Sequence, residues 1–170
     1  MQNHSLSVTV DLEDWYHVPS LIDPAISGNV SVEQFLSKWD RRYDYLTAPT
    51  HRVLDLLDEF NVRATFFIVA DILLNYQGLA EAIAERGHEI ACHGLHHYCK
   101  LHPNTKRPTV SAAEFRLMTL EAKRALEDAC HVQVVGYRAP NAYVAGWMLD
   151  ALEEMKFKYD SSVSANSLYN

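Results

Sequence analysis

Three short segments carry residue types whose spacing suits chemistry. The first is His93-Gly94-Leu95-His96-His97, with imidazoles at i, i+3 and i+4. On a helical turn, side chains four apart sit about 5–6 Å from one another at Cβ and can grip one ion, whereas on an extended strand they stand roughly 13 Å apart. A shared metal therefore requires the backbone to turn here, with His93 and His97 as the gripping pair and His96 pointing elsewhere. The spacing by itself also fits histidines that are solvent-exposed or that cap a helix. The second segment, Asp11-Leu12-Glu13-Asp14, puts three carboxylates in four residues at the end of an apolar run. Two histidines and one carboxylate leave coordination positions open for water and substrate, as a catalytic metal needs. A further carboxylate beside them could act as general base. Read alone, the same run fits an acidic loop that caps the next segment or faces water. The third, Gly136-Tyr137-Arg138-Ala139-Pro140-Asn141, supplies a cation followed by a proline that restrains the turn. An arginine placed so could hold a carboxylate through paired hydrogen bonds, although read alone it equally fits a surface arginine. Cys92 and Cys99 flank the histidines, but mixed Cys/His sites usually show closely paired cysteines, which leaves buried structural thiols as the better reading. Trp15, Tyr16 and His17 could floor a sugar site by stacking or simply cover the core.

These groups need elements to position them, and the pattern around them is regular. Leu6–Asp11 (LSVTVD) reads as a buried strand that stops at the acidic cluster. From Leu12 to Asn29 no period is evident, so a long surface loop is expected. Ser31 with Gln34 has capping-box spacing, and Thr50 precedes a run with Val53, Leu56, Leu57 and Phe60 at helical spacing. Val62–Val69 is the near-continuous apolar run of a parallel strand covered on both faces. Asp71 reads as a helix cap, and a short helix ending at Arg86 and Gly87 leads into strand His88–Ala91, which delivers the histidines. Ser111 and Glu114 form a capping box that opens a helix with Phe115, Met118, Ala122, Leu126 and Ala129 on one face. Val132–Gly136 reads as a fourth strand, Gly146–Met155 as a helix, and Phe157–Tyr159 as the start of a fifth strand ending at Asp160. The order βαβαβαβαβ implies a parallel α/β architecture, with Asp11, the His93 region, Arg138 and Asp160 at the carboxyl ends of its strands, where loops gather.

The whole-chain quantities exclude some functions. A length of 170 residues, 48% hydrophobic and 22% charged, suits one domain with a proper core. The formal charge of −7 and pI near 5.7 argue against a nucleic-acid partner, which would be bound through clustered Lys and Arg. No basic segment followed by a long apolar run opens the sequence, and no stretch is long enough to span a bilayer. Three cysteines without a CxxC pair argue against a disulfide framework and fit a cytoplasmic protein.

Taken together, these segments resemble the polysaccharide deacetylases of the NodB-homology fold. Val10-Asp11-Leu12-Glu13-Asp14-Trp15 is similar to the DxED variant of the family's first motif. The segment from Gly87 to His97 is similar to the second, GHEIxxHxxxH, over its whole length. Ala64-Thr65-Phe66-Phe67 fits the ATFF strand, Gly136–Pro140 the third motif, and Tyr159-Asp160-Ser161-Ser162 the YDSS of the DxED branch. The resemblance implies a deformed (β/α) barrel formed by residues 1–170 as a single catalytic domain. It also implies metal-dependent hydrolysis of the acetyl group from an N-acetylated sugar, polysaccharide or sugar conjugate. By position it makes Asp11 the base, Arg138 its tether, and His93 and His97 metal ligands. Glu13 and Asp14 compete for the acidic ligand, of which Asp14 is chosen with Glu13 in reserve. Zn2+ is the expected divalent metal on ligand type. The family's late Leu-x-His, whose histidine is the general acid, has no counterpart here. The barrel is accordingly expected to lack its C-terminal part, to hydrolyse slowly, and to self-associate through open edges. Alternatives are a ureide or cyclic-imide hydrolase of the same fold, or a non-catalytic module that binds metal or glycan.

Overall fold

The computed structural model describes residues 6–17, 44–98, 102, 104–105 and 109–163. They form a five-stranded parallel sheet in the order β1-β2-β3-β4-β5. The strands are β1 (Val8–Leu12), β2 (Ala64–Ile68), β3 (Glu89–Cys92), β4 (Gly136–Tyr137) and β5 (Tyr159–Asp160). The described helices are α1 (Thr47–Glu59), α2 (Ile72–Asn75), α3 (Leu79–Glu85), α4 (Ala112–Cys130) and α5 (Gly146–Glu154), with 3₁₀ turns at Trp15–His17 and Pro140–Ala142. Each neighbour in the sheet is the next strand in sequence, so the chain winds in one direction as a (β/α) barrel does. Such a sheet matches the α/β expectation. The helix expected to open at Ser31 and residues 18–29 of the expected loop lie outside the described residues.

Strand alternation gives the sheet two unlike faces. Leu12, Ile68, Cys92 and Tyr137 lie in one paired row, and with Phe66 and Ile90 they point into the apolar core beneath the helices. On the opposite face stand Thr9, Asp11, Thr65, Phe67, Glu89 and Tyr159. There Glu89 accepts hydrogen bonds from Thr65 Oγ1 at 2.7 Å and Tyr159 Oη at 2.8 Å. Gly136 makes this crossing possible, because a Cβ there would stand 2.2 Å from the Tyr159 hydroxyl. Strand β2, flanked by β1 and β3, is covered on both faces, as its apolar run predicts. In β1 only one face is deeply covered, Thr9 and Asp11 being exposed.

The helices follow their sequence signals with two corrections. Ser111 Oγ accepts from Glu114 N at 3.2 Å while Glu114 Oε2 accepts from Ser111 N at 3.0 Å, the reciprocal box that starts α4. Phe115, Ala122 and Leu126 are buried along that helix, joined by Thr119 and Cys130. In α1 the inner stripe is Thr50, Leu54 and Leu57, whereas Val53, Leu56 and Phe60 are exposed. The i, i+4, i+7 spacing of Thr50, Leu54 and Leu57 is equally helical, and it is this stripe that enters the buried core, with Leu54 and Leu57 in the apolar cluster. Thr50 thus lies within the helix rather than ahead of it. Asp71 occupies the position before α2 but makes no side-chain cap bond; its carboxylate is engaged elsewhere. No helix among the described residues is long and apolar enough to cross a membrane.

Candidate metal and catalytic site

The site lies one residue beyond the last paired row of the sheet. Leu12, Ile68, Cys92, Tyr137 and Asp160 are in register. The ladder runs one step further, through His93 N to Ile68 O at 2.9 Å, Arg138 N to Cys92 O at 2.9 Å and Ser161 N to Tyr137 O at 2.8 Å. Alternation turns Glu13, His93, Arg138 and Ser161 onto the face that carries Asp11, one layer above it.

Beyond His93 the chain reverses so that His97 returns to it. Gly94 adopts φ +84° and His97 φ +52°, both left-handed; a non-glycine residue there is a strained conformation of the kind functional sites retain. The backbone also passes close to Pro140, whose Cγ would lie 3.2 Å from a Cβ at position 94. Gly94→Ala is therefore expected to destabilise the fold by about 1–3 kcal/mol, read as a lower urea midpoint at unchanged m-value. An unaltered midpoint would show that this turn relaxes freely.

One ligand atom each from Glu13, His93 and His97 lies within 4.8 Å of the others. Asp14, the expected acidic ligand, is not among them. Its position in the pleat explains this. Glu13 shares the face of Asp11, whereas Asp14 turns to the other side and is buried. There Asp14 Oδ1 accepts from Trp15 N at 2.7 Å and Oδ2 accepts from the Tyr76 hydroxyl. The motif leaves Glu13 in reserve, although period-2 alternation from Asp11 points to it; no sequence signal points to Tyr76.

The donor set suits a divalent metal. His93 Nδ1 donates to the Arg138 carbonyl at 2.8 Å, which fixes the tautomer that leaves the Nε2 lone pair for coordination. Glu13 Oε2 lies 2.9 Å from His97 Nε2, yet this buried oxygen makes no hydrogen bond of acceptable geometry. Two close ligand atoms that do not bond each other well are what a shared ion between them would require. Burial raises the Glu13 carboxyl, but the close approach and charge of His97, with His93 and His17 behind it, bring it below the usual carboxylate range. Burial lowers His93, outweighing the opposing effects of the Arg138 carbonyl and the Asp11 charge. Carboxylate and neutral imidazole are the metal-binding forms.

Asp11 and Arg138 meet beside this group. Arg138 Nη1 donates to Asp11 Oδ1 at 2.6 Å, Nη2 to Ser161 Oγ at 2.8 Å and Nε to the Ser161 carbonyl at 3.2 Å. Both Nη atoms also reach Thr9 Oγ1, at 3.2 and 3.3 Å, and the guanidinium lies 4.0 Å above the Phe67 ring. Arg138 is thus anchored in a fixed pose rather than left as a surface charge. Asp160 does not enter the site; it accepts from Ser162 N and Oγ, and Ser162 Oγ in turn accepts from Ala139 N at 2.7 Å. Of the two readings open for Tyr16 and His17, a stacking surface or a cover for the core, burial favours the second, each being 1% exposed and packed inside. His96 faces away from the ligand group, toward Asp71. Cys92 is a buried free thiol, its pKa pushed up to about 12 by burial, in line with a structural role; Cys99 lies outside the described residues.

A parallel α/β sheet thus carries two histidines and a carboxylate at its carboxyl ends, next to an arginine-held aspartate. The chain belongs to the polysaccharide deacetylase family, whose profile matches residues 33–159; that span includes His93, His97 and Arg138 but not β1. Over 81 residues it is 35% identical to a chitooligosaccharide deacetylase of Bradyrhizobium sp. (strain ANU 289), covering 48% of this chain and 34% of that protein. Over 131 residues it is 27% identical to a bifunctional xylanase/deacetylase of Pseudobutyrivibrio xylanivorans, covering 73% of this chain and 21% of that protein. The crystal structure of a putative polysaccharide deacetylase from Mycobacterium smegmatis superposes with a TM-score of 0.65 at 29% identity, covering 92% of this chain and 50% of that one. The chain therefore spans half or less of the length of each of these proteins.

Proposed function

We propose that this chain is the catalytic part of a metal-dependent hydrolase that removes the acetyl group from the nitrogen of an N-acetylated sugar, polysaccharide or sugar conjugate. The observation that carries this reading is the grouping of Glu13, His93 and His97 within 4.8 Å beside an aspartate that Arg138 holds at 2.6 Å. Its relatives named as deacetylases supply the substrate class. Glu13, His93 and His97 would hold the ion, and zinc fits two imidazoles and a carboxylate best. Once bound, it supplies a Lewis acid for the amide carbonyl and for the water that attacks it.

The protein's own groups do the rest. Arg138 presents the Asp11 carboxylate toward the ligand cluster, where it would accept the proton released as water attacks the carbonyl carbon and return it to the sugar nitrogen as the C–N bond breaks and acetate leaves. Thr9 and Ser161 stop the guanidinium from swinging, so Asp11 keeps one orientation. Through its own carbonyl Arg138 also fixes the His93 ring. A cytoplasmic setting is part of the same reading; Cys92 and Cys130, both free thiols, accord with it.

The test is acetate release from N-acetylglucosamine oligomers by this chain, before and after chelation. Chelation is expected to abolish release and one equivalent of Zn2+ to restore it. Release that survives complete removal of metal would refute the metal-dependent reading.

A further inference from the structure

Asp71 belongs neither to the ligand group nor to the Asp11 and Arg138 pair, and its predicted capping role is not what it performs. Its carboxylate is 3% exposed, and both oxygens face a histidine. Oδ1 lies 2.8 Å from His17 Nε2, and Oδ2 lies 2.9 Å from His96 Nδ1. His17 Nδ1 accepts from Asp14 N at 2.9 Å, so the proton of that ring sits on Nε2 and is donated to Asp71. A carboxylate has no proton to give, which makes the His96 contact a donation as well. The Asp71 backbone adds a third attachment, N–H to the Leu95 carbonyl at 3.0 Å, while Ala70 N–H reaches the Gly94 carbonyl at 3.0 Å.

These bonds end on the two segments that carry the candidate ligands. The His17 arm grips the backbone at Asp14, one residue after Glu13. The His96 arm and the backbone bonds grip the turn from Gly94 to His96, next to His97. Glu13 and His97 come from segments 84 positions apart in the numbering, and among the described residues Asp71 has a side-chain oxygen on each of them.

We propose that Asp71 is a positioning residue for the divalent-metal centre, setting through His17 and His96 the separation at which Glu13 and His97 meet an ion. This rests on the metal reading above. Loss of an outer hydrogen-bond partner of metal ligands typically weakens metal binding about 10–100-fold, and the clamp should behave in that way. In Asp71→Asn one oxygen becomes an amide that cannot accept from both histidines. Single-arm variants separate the clamp from general support of the fold: His96 is half exposed, and His96→Ala removes its donor whereas His96→Gln keeps one.

The experiment is competition for Zn2+ against a chromophoric chelator, run well below each variant's melting temperature, with apo-protein melting measured alongside. The wild type should bind one Zn2+. Asp71→Asn should weaken binding about 10–100-fold and His96→Ala about 10-fold, with His96→Gln between His96→Ala and wild type. Asp71→Asn combined with His96→Ala should cost less than the product of the single effects, because the two act through one contact. A folded Asp71→Asn protein with wild-type zinc affinity would overturn the clamp and leave the metal reading intact, as would equal losses in His96→Ala and His96→Gln. If the wild type bound no zinc, both would fall.

Discussion

Glu13→Gln is expected to leave the protein folded and without stoichiometric metal, while Asp14→Asn keeps it. The introduced amide retains the shape of the glutamate side chain but loses the charge that makes a carboxylate a ligand for a divalent ion. The loss should exceed the roughly 10–100-fold typical of outer-contact changes, so that gel-filtered protein contains no bound zinc. His93→Ala and His97→Ala should behave alike. Asp14 answers to different partners, since its oxygens take the Trp15 amide and the Tyr76 hydroxyl. Asp14→Asn should therefore show itself in thermal stability rather than in metal content. Elemental analysis of the four variants at matched concentration decides the matter. Metal retained by Glu13→Gln and lost by Asp14→Asn would return the ligand role to Asp14, as the motif alone suggests.

The second large effect is expected at Asp11. If its carboxylate takes the proton of the attacking water, Asp11→Asn should lower the deacetylation rate by about 10²–10⁴-fold, the range general-base catalysis contributes, with zinc content unchanged. Arg138→Lys should give part of that loss. A lysine ammonium can meet Asp11, but it cannot also bond Thr9 and Ser161 in one plane or lie flat over Phe67. Combining the two substitutions should cost little more than Asp11→Asn alone, because the arginine acts through the aspartate. Rates measured at equal metal loading are the readout. An Asp11→Asn protein as fast as the wild type would remove the base from the mechanism.

Local chemistry made much of the scaffold legible beforehand. The apolar run of β2, the capping box at Ser111 and the βα alternation each express a rule that operates within a few residues, and the structure follows them. The histidine turn was legible for a related reason, because only a reversal lets residues four apart share an ion. What stayed hidden depended on distant partners. The buried stripe of α1 could have been either of two, and packing into the core chose Thr50, Leu54 and Leu57. Strand β4 spans Gly136–Tyr137, shorter than the run from Val132 suggested. Asp71 has the position of a helix cap but serves partners 54 and 25 residues away. Glu13 is the exception, a residue the sequence could have yielded. Alternation from Asp11 sets it on the same face, grouped with His93 and His97, and the motif's consecutive acids obscured that.

Arg138 contributes to the site twice, once with its guanidinium and once with its main-chain carbonyl, which receives the His93 ring proton at 2.8 Å. Any amino acid at position 138 supplies that carbonyl. Side-chain replacement thus probes only the half of this residue that faces Asp11, and the half that orients His93 is silent in an alanine scan. A backbone amide-to-ester exchange between positions 138 and 139 would weaken the carbonyl as an acceptor without touching the side chain. Conventional mutagenesis will accordingly undervalue this position as a support of the metal ligands.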